Sequence, residues 1–130
     1  MLTLGSLFLL IGSTATAEKA LQAQIQLLEN TQSVDPGGWR ELTTHVDPKI
    51  RRMSVRAIGR IDHPRLSRFI KAALKDADAS VRTEAAFAYG QSTVLPVAQI
   101  LAGLKSEKDL TVRMALFEAL GKRGSAIHIP

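Results

Sequence analysis

Three segments of this chain share one outline: DPKIRRMSVRAIG at 47–59, DASVRTEAAFAYG at 78–90 and DLTVRMALFEALG at 109–121. Asp47, Asp78 and Asp109 lie 31 residues apart. The same spacing holds for Ile50, Val81 and Val112, for Arg51, Arg82 and Arg113, for Ala57, Ala88 and Ala119, and for Gly59, Gly90 and Gly121. A repeat of this length constrains the fold more than any single residue does. Each copy is one supersecondary unit, and it buries its apolar face only by stacking on a neighbour.

Each column has a local physical reading. The Asp is an N-cap whose carboxylate accepts from free N–H groups of the first helical turn. Pro48, directly after Asp47, suits the first helical position. The Gly is expected to end the helix through a left-handed residue. Between them the apolar positions fall at i, i+4, i+7 and i+8, the buried stripe of a helix. That stripe is Ile50, Ser54, Ala57 and Ile58 in the first copy. It is Val81, Ala85, Ala88 and Tyr89 in the second, and Val112, Leu116, Ala119 and Leu120 in the third.

A second helix follows each of the first two glycines. HPRLSRFIKAALK (63–75) places Leu66, Phe69, Ile70, Ala73 and Leu74 on one side. VLPVAQILAGLK (94–105) does the same with Val97, Ile100, Leu101 and Leu104. Pro64 and Pro96 mark the starts. Upstream, VDPGG (34–38) reads as a turn and WRELTTHV (39–46) as a short helix with Trp39, Leu42 and Val46 pointing inward. The expected fold is all-α: a solenoid of stacked antiparallel helix pairs over 36–124, led by a capping helix and turn over 18–35. Residues 125–130 read as the start of a further repeat, cut short.

The pattern resembles the short HEAT-like repeats of the phycobilisome lyase type. The matching residues are Asp47, Ile50, Arg51, Ala57 and Gly59, then Asp78, Val81, Arg82, Ala88 and Gly90, then Asp109, Val112, Arg113, Ala119 and Gly121. In that family the Asp and Arg form a ladder between repeats, so the resemblance implies a structural role for Asp47, Asp78, Asp109, Arg51, Arg82 and Arg113. The front of the chain also resembles the segment that precedes the catalytic domain of some exported cyclophilin-type peptidyl-prolyl isomerases. That likeness implies an accessory segment of a larger enzyme; a chromophore lyase subunit is the other enzymatic reading.

The first seventeen residues, MLTLGSLFLLIGSTATA, carry no charged side chain. An apolar run followed by Ala15-Thr16-Ala17 reads as an export signal. The run is too short to span a bilayer, which takes about 20 residues. No Lys or Arg precedes it, so the alternative is a buried N-terminal helix. On the signal reading the mature chain starts at Glu18, works outside the cytoplasm (periplasmic or secreted) and has no membrane span.

No catalytic constellation is written in the chain. It has no cysteine, which excludes thiolate metal sites, disulfides and a Cys nucleophile. His45, His63 and His128 lack ligand spacing and read as loop or helix-end residues. The glycines come singly rather than in a phosphate loop, so neither cofactor nor metal is expected. Charge is the strongest functional signal. The net charge is +5, and residues 48–75 hold Lys49, Arg51, Arg52, Arg56, Arg60, Arg65, Arg68, Lys71 and Lys75 against Asp62 alone. Arg52, Arg56 and Arg60 form a stripe along one helix, at positions equivalent to Thr83, Phe87 and Gln91 in the next copy. The stripe is therefore local to one repeat. The resulting expectation is a non-enzymatic protein-binding module that contacts an acidic protein through Arg52, Arg56, Arg60, Phe87 and Met114. A solvated basic face is the bland alternative. Nucleic acid fits poorly, because aromatics are not interleaved with the charges.

Overall fold

The computed structural model describes residues 4–124, with side chains from Thr14 onward. The apolar side chains of the export-signal reading, His128 and the segment 125–130 lie outside the described residues. Seven α-helices and one 3₁₀ turn follow in order among the described residues: α1 (Leu4–Asn30), α2 (Pro36–Thr43), α3 (Pro48–Ile61), the turn Pro64–Leu66, α4 (Ser67–Ala73), α5 (Ala79–Gln91), α6 (Ala98–Ser106) and α7 (Leu110–Gly124). The backbone of α1 is helical across Ala17 and Glu18. None of the described helices is long and apolar enough to cross a membrane.

The helices form two layers. The inner layer is α1, α3, α5 and α7, each packed on the next; α2 backs α3, α4 backs α5 and α6 backs α7. This is the stacked-pair solenoid expected from the repeat. The Asp column caps as expected: Asp47 accepts from Lys49 N at 2.9 Å, Asp78 from Ser80 N at 2.8 Å and Asp109 from Val112 N at 3.1 Å. The stripe is buried in all three copies, from Ile50, Ser54 and Ala57 through Val81 and Ala85 to Val112 and Leu116. Trp39 and Tyr89 are the largest fully buried side chains. Trp39 Nε1 donates to Ser33 O at 2.9 Å. Burial pushes the Tyr89 phenol up to about 12, so it stays a neutral donor, hydrogen-bonded to Gln99.

Several local expectations give way to tertiary packing. VDPGG is not a turn: Asp35 caps α2, which starts at Pro36 and runs through Gly37 and Gly38. With the helix shifted forward it ends at Thr43, and Val46 falls in the loop, 89 % exposed. Leu101 is exposed on α6, and Leu95 in the preceding loop is buried in its stead.

The repeated glycines do not end helices. No glycine has positive φ among the described residues, and α3, α5 and α7 run on past Gly59, Gly90 and Gly121. The left-handed exit from α3 is Asp62, at φ 50°. Its carboxylate accepts from Ser92 Oγ and from Thr93 N, which ties the end of α3 to the loop after α5. The glycines serve the crossing of inner helices instead. A Cβ on Gly59 would lie 2.9 Å from the Cβ of Ala88, and one on Gly90 would lie 3.0 Å from the Cα of Ala119. The Ala column thus packs into the Gly column of the preceding copy, and only a missing side chain permits that approach.

The Arg column clamps successive repeats, but its acid is not the Asp column. Arg51 binds Asp76 through two hydrogen bonds of 2.9 Å. Arg82 binds Glu107 in the same way at 2.8 and 3.2 Å. Asp47, Asp78 and Asp109 are already committed to their own helix N-termini. Asp76 and Glu107 also accept from the backbone N–H of Asp78 and Asp109. The third nitrogen of each Arg closes the loop behind it: Nη1 of Arg51 donates to His45 O and Val46 O, and Nη1 of Arg82 to Asp76 O and Ala77 O. Both pairs are largely shielded, with side-chain exposures of 16 % and 13 % for Arg51–Asp76 and 19 % and 9 % for Arg82–Glu107.

Two outcomes follow. Gly90→Ala should cost about 1–3 kcal/mol by overpacking against Ala119, whereas Gly121, with nothing among the described residues within 4 Å of its Cβ position, should gain about 0.5–1 kcal/mol on the same change inside a helix. Thermal unfolding of the two variants checks this; destabilisation by Gly121→Ala would restore the helix-stop reading. The second outcome concerns pH. Burial is the largest single influence on the carboxyls of Asp76 and Glu107 and raises them, but the hydrogen bonds from Arg51 and Arg82, the backbone N–H bonds from Asp78 and Asp109 and the two guanidinium charges together outweigh it, and the net shift is downward. Their folded pKa values lie below the unfolded ones, so their stabilisation is complete above the ordinary carboxylate range. It is lost as pH falls below about 4 and through the folded values. Asp76→Asn with Glu107→Gln should lower stability at neutral pH by about 2 kcal/mol per site. The gap to the parent chain in urea midpoint should narrow as pH falls from 6 to 3; a constant gap would contradict the assignment.

Candidate functional site

The basic stretch 48–75 separates into paired and unpaired cations once folded. Arg51 is taken by Asp76, Lys49 by Glu18 at 2.6 Å and Arg60 by Glu29 at 3.1 Å. Arg52, Arg56, Arg65, Arg68, Lys71 and Lys75 form no ion pair among the described residues. Arg68 stacks on Phe69, its guanidinium carbon 5.1 Å from the ring centroid. The two pairs made with α1 span 31 residues, the repeat spacing itself. The charge pattern thus places α1 where the inner helix of a preceding repeat would sit.

The inner layer carries two adjacent grooves. One, about 350 Å³, lies between α3 and α5 and is lined by Arg56, Gly59, Arg60, Glu84, Phe87, Ala88 and Gln91. The other, about 370 Å³, lies between α1 and α3; its lining includes Ile25, Glu29, Met53, Arg56 and Arg60. Arg56 and Arg60 stand on the ridge between them and line both. Arg56 is exposed, and Phe87 is 45 % exposed across the first groove with Lys122 Nζ 4.6 Å from its ring centroid. An exposed aromatic face, an unpaired guanidinium and a mixed polar rim can bind a chain that offers both a carboxylate and apolar contact.

The five residues singled out in the sequence are not all in one place. Arg56, Arg60 and Phe87 come together. Arg52 lies one turn earlier on α3 and lines neither groove. Met114 is 65 % exposed on α7 and also lines neither. Sequence reasoning missed Glu29, which takes Arg60, and Glu84, which sets an acid inside the basic groove. The 31-residue spacing from Glu29 to Arg60 was the available signal. His45 and His63 are helix-entry residues: Nδ1 of His45 accepts from Asp47 N at 3.0 Å and Nδ1 of His63 from Arg65 N at 3.1 Å.

A family model described as HEAT repeats matches residues 38–121, which takes in all three copies of the outline. No curated protein and no solved structure matches the chain. HEAT repeats generally serve as protein-interaction scaffolds. The stacked helix pairs, the clamp between successive copies and this match together place the chain in the HEAT-repeat family.

Proposed function

We propose that this chain is a non-enzymatic binding scaffold whose inner-layer grooves capture an acidic protein segment. The observation that carries the reading is Arg56: an exposed, unpaired guanidinium shared by two grooves, opposite the exposed ring of Phe87. Arg60 contributes in part, because Glu29 already neutralises it. Arg52 extends the positive potential along α3 and steers the partner's approach. The basic face belongs to one repeat only, which favours a short acidic segment over a long polyanion. The signal-like start MLTLGSLFLLIGSTATA supports a place of action outside the cytoplasm.

The test is fluorescence polarisation against labelled peptides that mix Glu, Asp and Leu. The parent chain should bind them with a salt-dependent affinity. Arg52→Ser with Arg56→Ser should weaken binding about tenfold or more, as should Phe87→Ala, within the range of interface hot spots. Helical circular dichroism should be unchanged. The outer-face control Arg68→Ser with Lys71→Ser should bind as the parent does. Equal loss in the control, or no loss in the groove variants, would overturn the reading.

A further inference from the structure

Three columns of the repeat change state together at α7. In the first, Val55 and Ala86 are buried (1 % and 0 %) while Phe117, at the equivalent position, is 54 % exposed. In the second, Gly59 receives Ala88 and Gly90 receives Ala119, while among the described residues nothing lies within 4 Å of the Cβ position at Gly121. In the third, Arg51 holds Asp76 and Arg82 holds Glu107, whereas Arg113 meets no carboxylate among the described residues. Nη1 of Arg113 donates to Glu107 O, six residues back, as the other two do at the equivalent carbonyl, but its second acceptor is Leu104 O, and its guanidinium carbon lies 5.8 Å from the Phe117 ring centroid. Leu110 and Met114 add exposed apolar area on the same helix, at 77 % and 65 %. The Arg is set, the notch is open and the apolar knob is out.

We propose that this face of α7 is a docking surface for one further helix pair of the same repeat type. Its inner helix brings an alanine into the Gly121 notch and covers Phe117, and its loop brings a carboxylate to Arg113. The spacing of the existing copies defines the partner's chemistry. The acid follows its Arg by 25 residues, as in Arg51–Asp76 and Arg82–Glu107. The small residue follows its Gly by 29, as in Gly59–Ala88 and Gly90–Ala119. A second copy of this chain does not fit. Its leading repeat carries His45 where the others carry Asp76 and Glu107, and its α3 is already covered by α1.

The probe is this chain's own repeat: a duplicate of residues 94–124 inserted between Gly124 and Ser125, which keeps both spacings. The parent has no cysteine, so Phe117→Cys gives a single thiol. In the parent that thiol should react quickly with a maleimide. In the extended chain it should react at least about tenfold more slowly, as expected of a side chain reached only by local opening. Gly121→Ala should raise the melting temperature of the parent and lower that of the extended chain, because the notch is then occupied. An equally fast thiol in both chains would overturn the proposal, as would a melting temperature raised in both. A parent that elutes as a dimer with its thiol protected would overturn it too, by showing that a second copy covers the face.

Discussion

The two-pronged bond from the arginine of one repeat to the acid that opens the next is the contact on which this architecture turns. Arg82 and Glu107 illustrate its reach. The guanidinium binds the carboxylate, the carboxylate accepts the N–H of the cap residue Asp109, and the remaining nitrogen satisfies carbonyls of the preceding loop. One side chain thereby fixes where the next inner helix begins and satisfies backbone groups that a buried loop would leave unpaired. The pair is shielded enough for its hydrogen bonds to matter and exposed enough to avoid the full desolvation cost of a buried ion pair. The crossing of Gly90 with Ala119 then sets how closely the two inner helices approach. Clamp and notch act at different points of the same interface, so the distance and the register of stacking are both specified.

With the scaffold fixed in this way, function is left to positions the repeat does not use. Thr83 and Phe87 stand where the first copy has Arg52 and Arg56. These residues neither cap, nor clamp, nor fill the core, so they are free to differ. The grooves beside α3 gather that freedom into one basic and aromatic surface, while α1 neutralises part of the charge from the far side. The HEAT-repeat scaffold supplies the layer and the local residues supply its chemistry.

What was legible in the sequence was what depends on neighbours in the chain. The capping Asp and the i, i+4, i+7, i+8 stripe are properties of a single helix, and both appear where the repeat places them. Gly59 was misread because a glycine near a helix end satisfies a local stop rule, while its actual reason is Ala88, 29 residues on. The clamp acids were missed because their column is written His45, Asp76, Glu107. No residue type repeats there, although all three accept a hydrogen bond from the backbone two residues later. A shared function under different letters is hard to see without coordinates. The groove behaves likewise: the stripe of arginines was visible, but the pairing of Arg60 with Glu29 needed α1 in place.

The most direct measurement is a double-mutant cycle on the clamp, with Arg82→Met, Glu107→Gln and the two combined, read by urea unfolding at neutral pH. If the clamp couples successive repeats, the two losses will not add, and the coupling energy should be about 1–3 kcal/mol. Losses that add to within about 0.3 kcal/mol would show that the pair is only a surface contact, and the account of how these repeats are held together would be wrong.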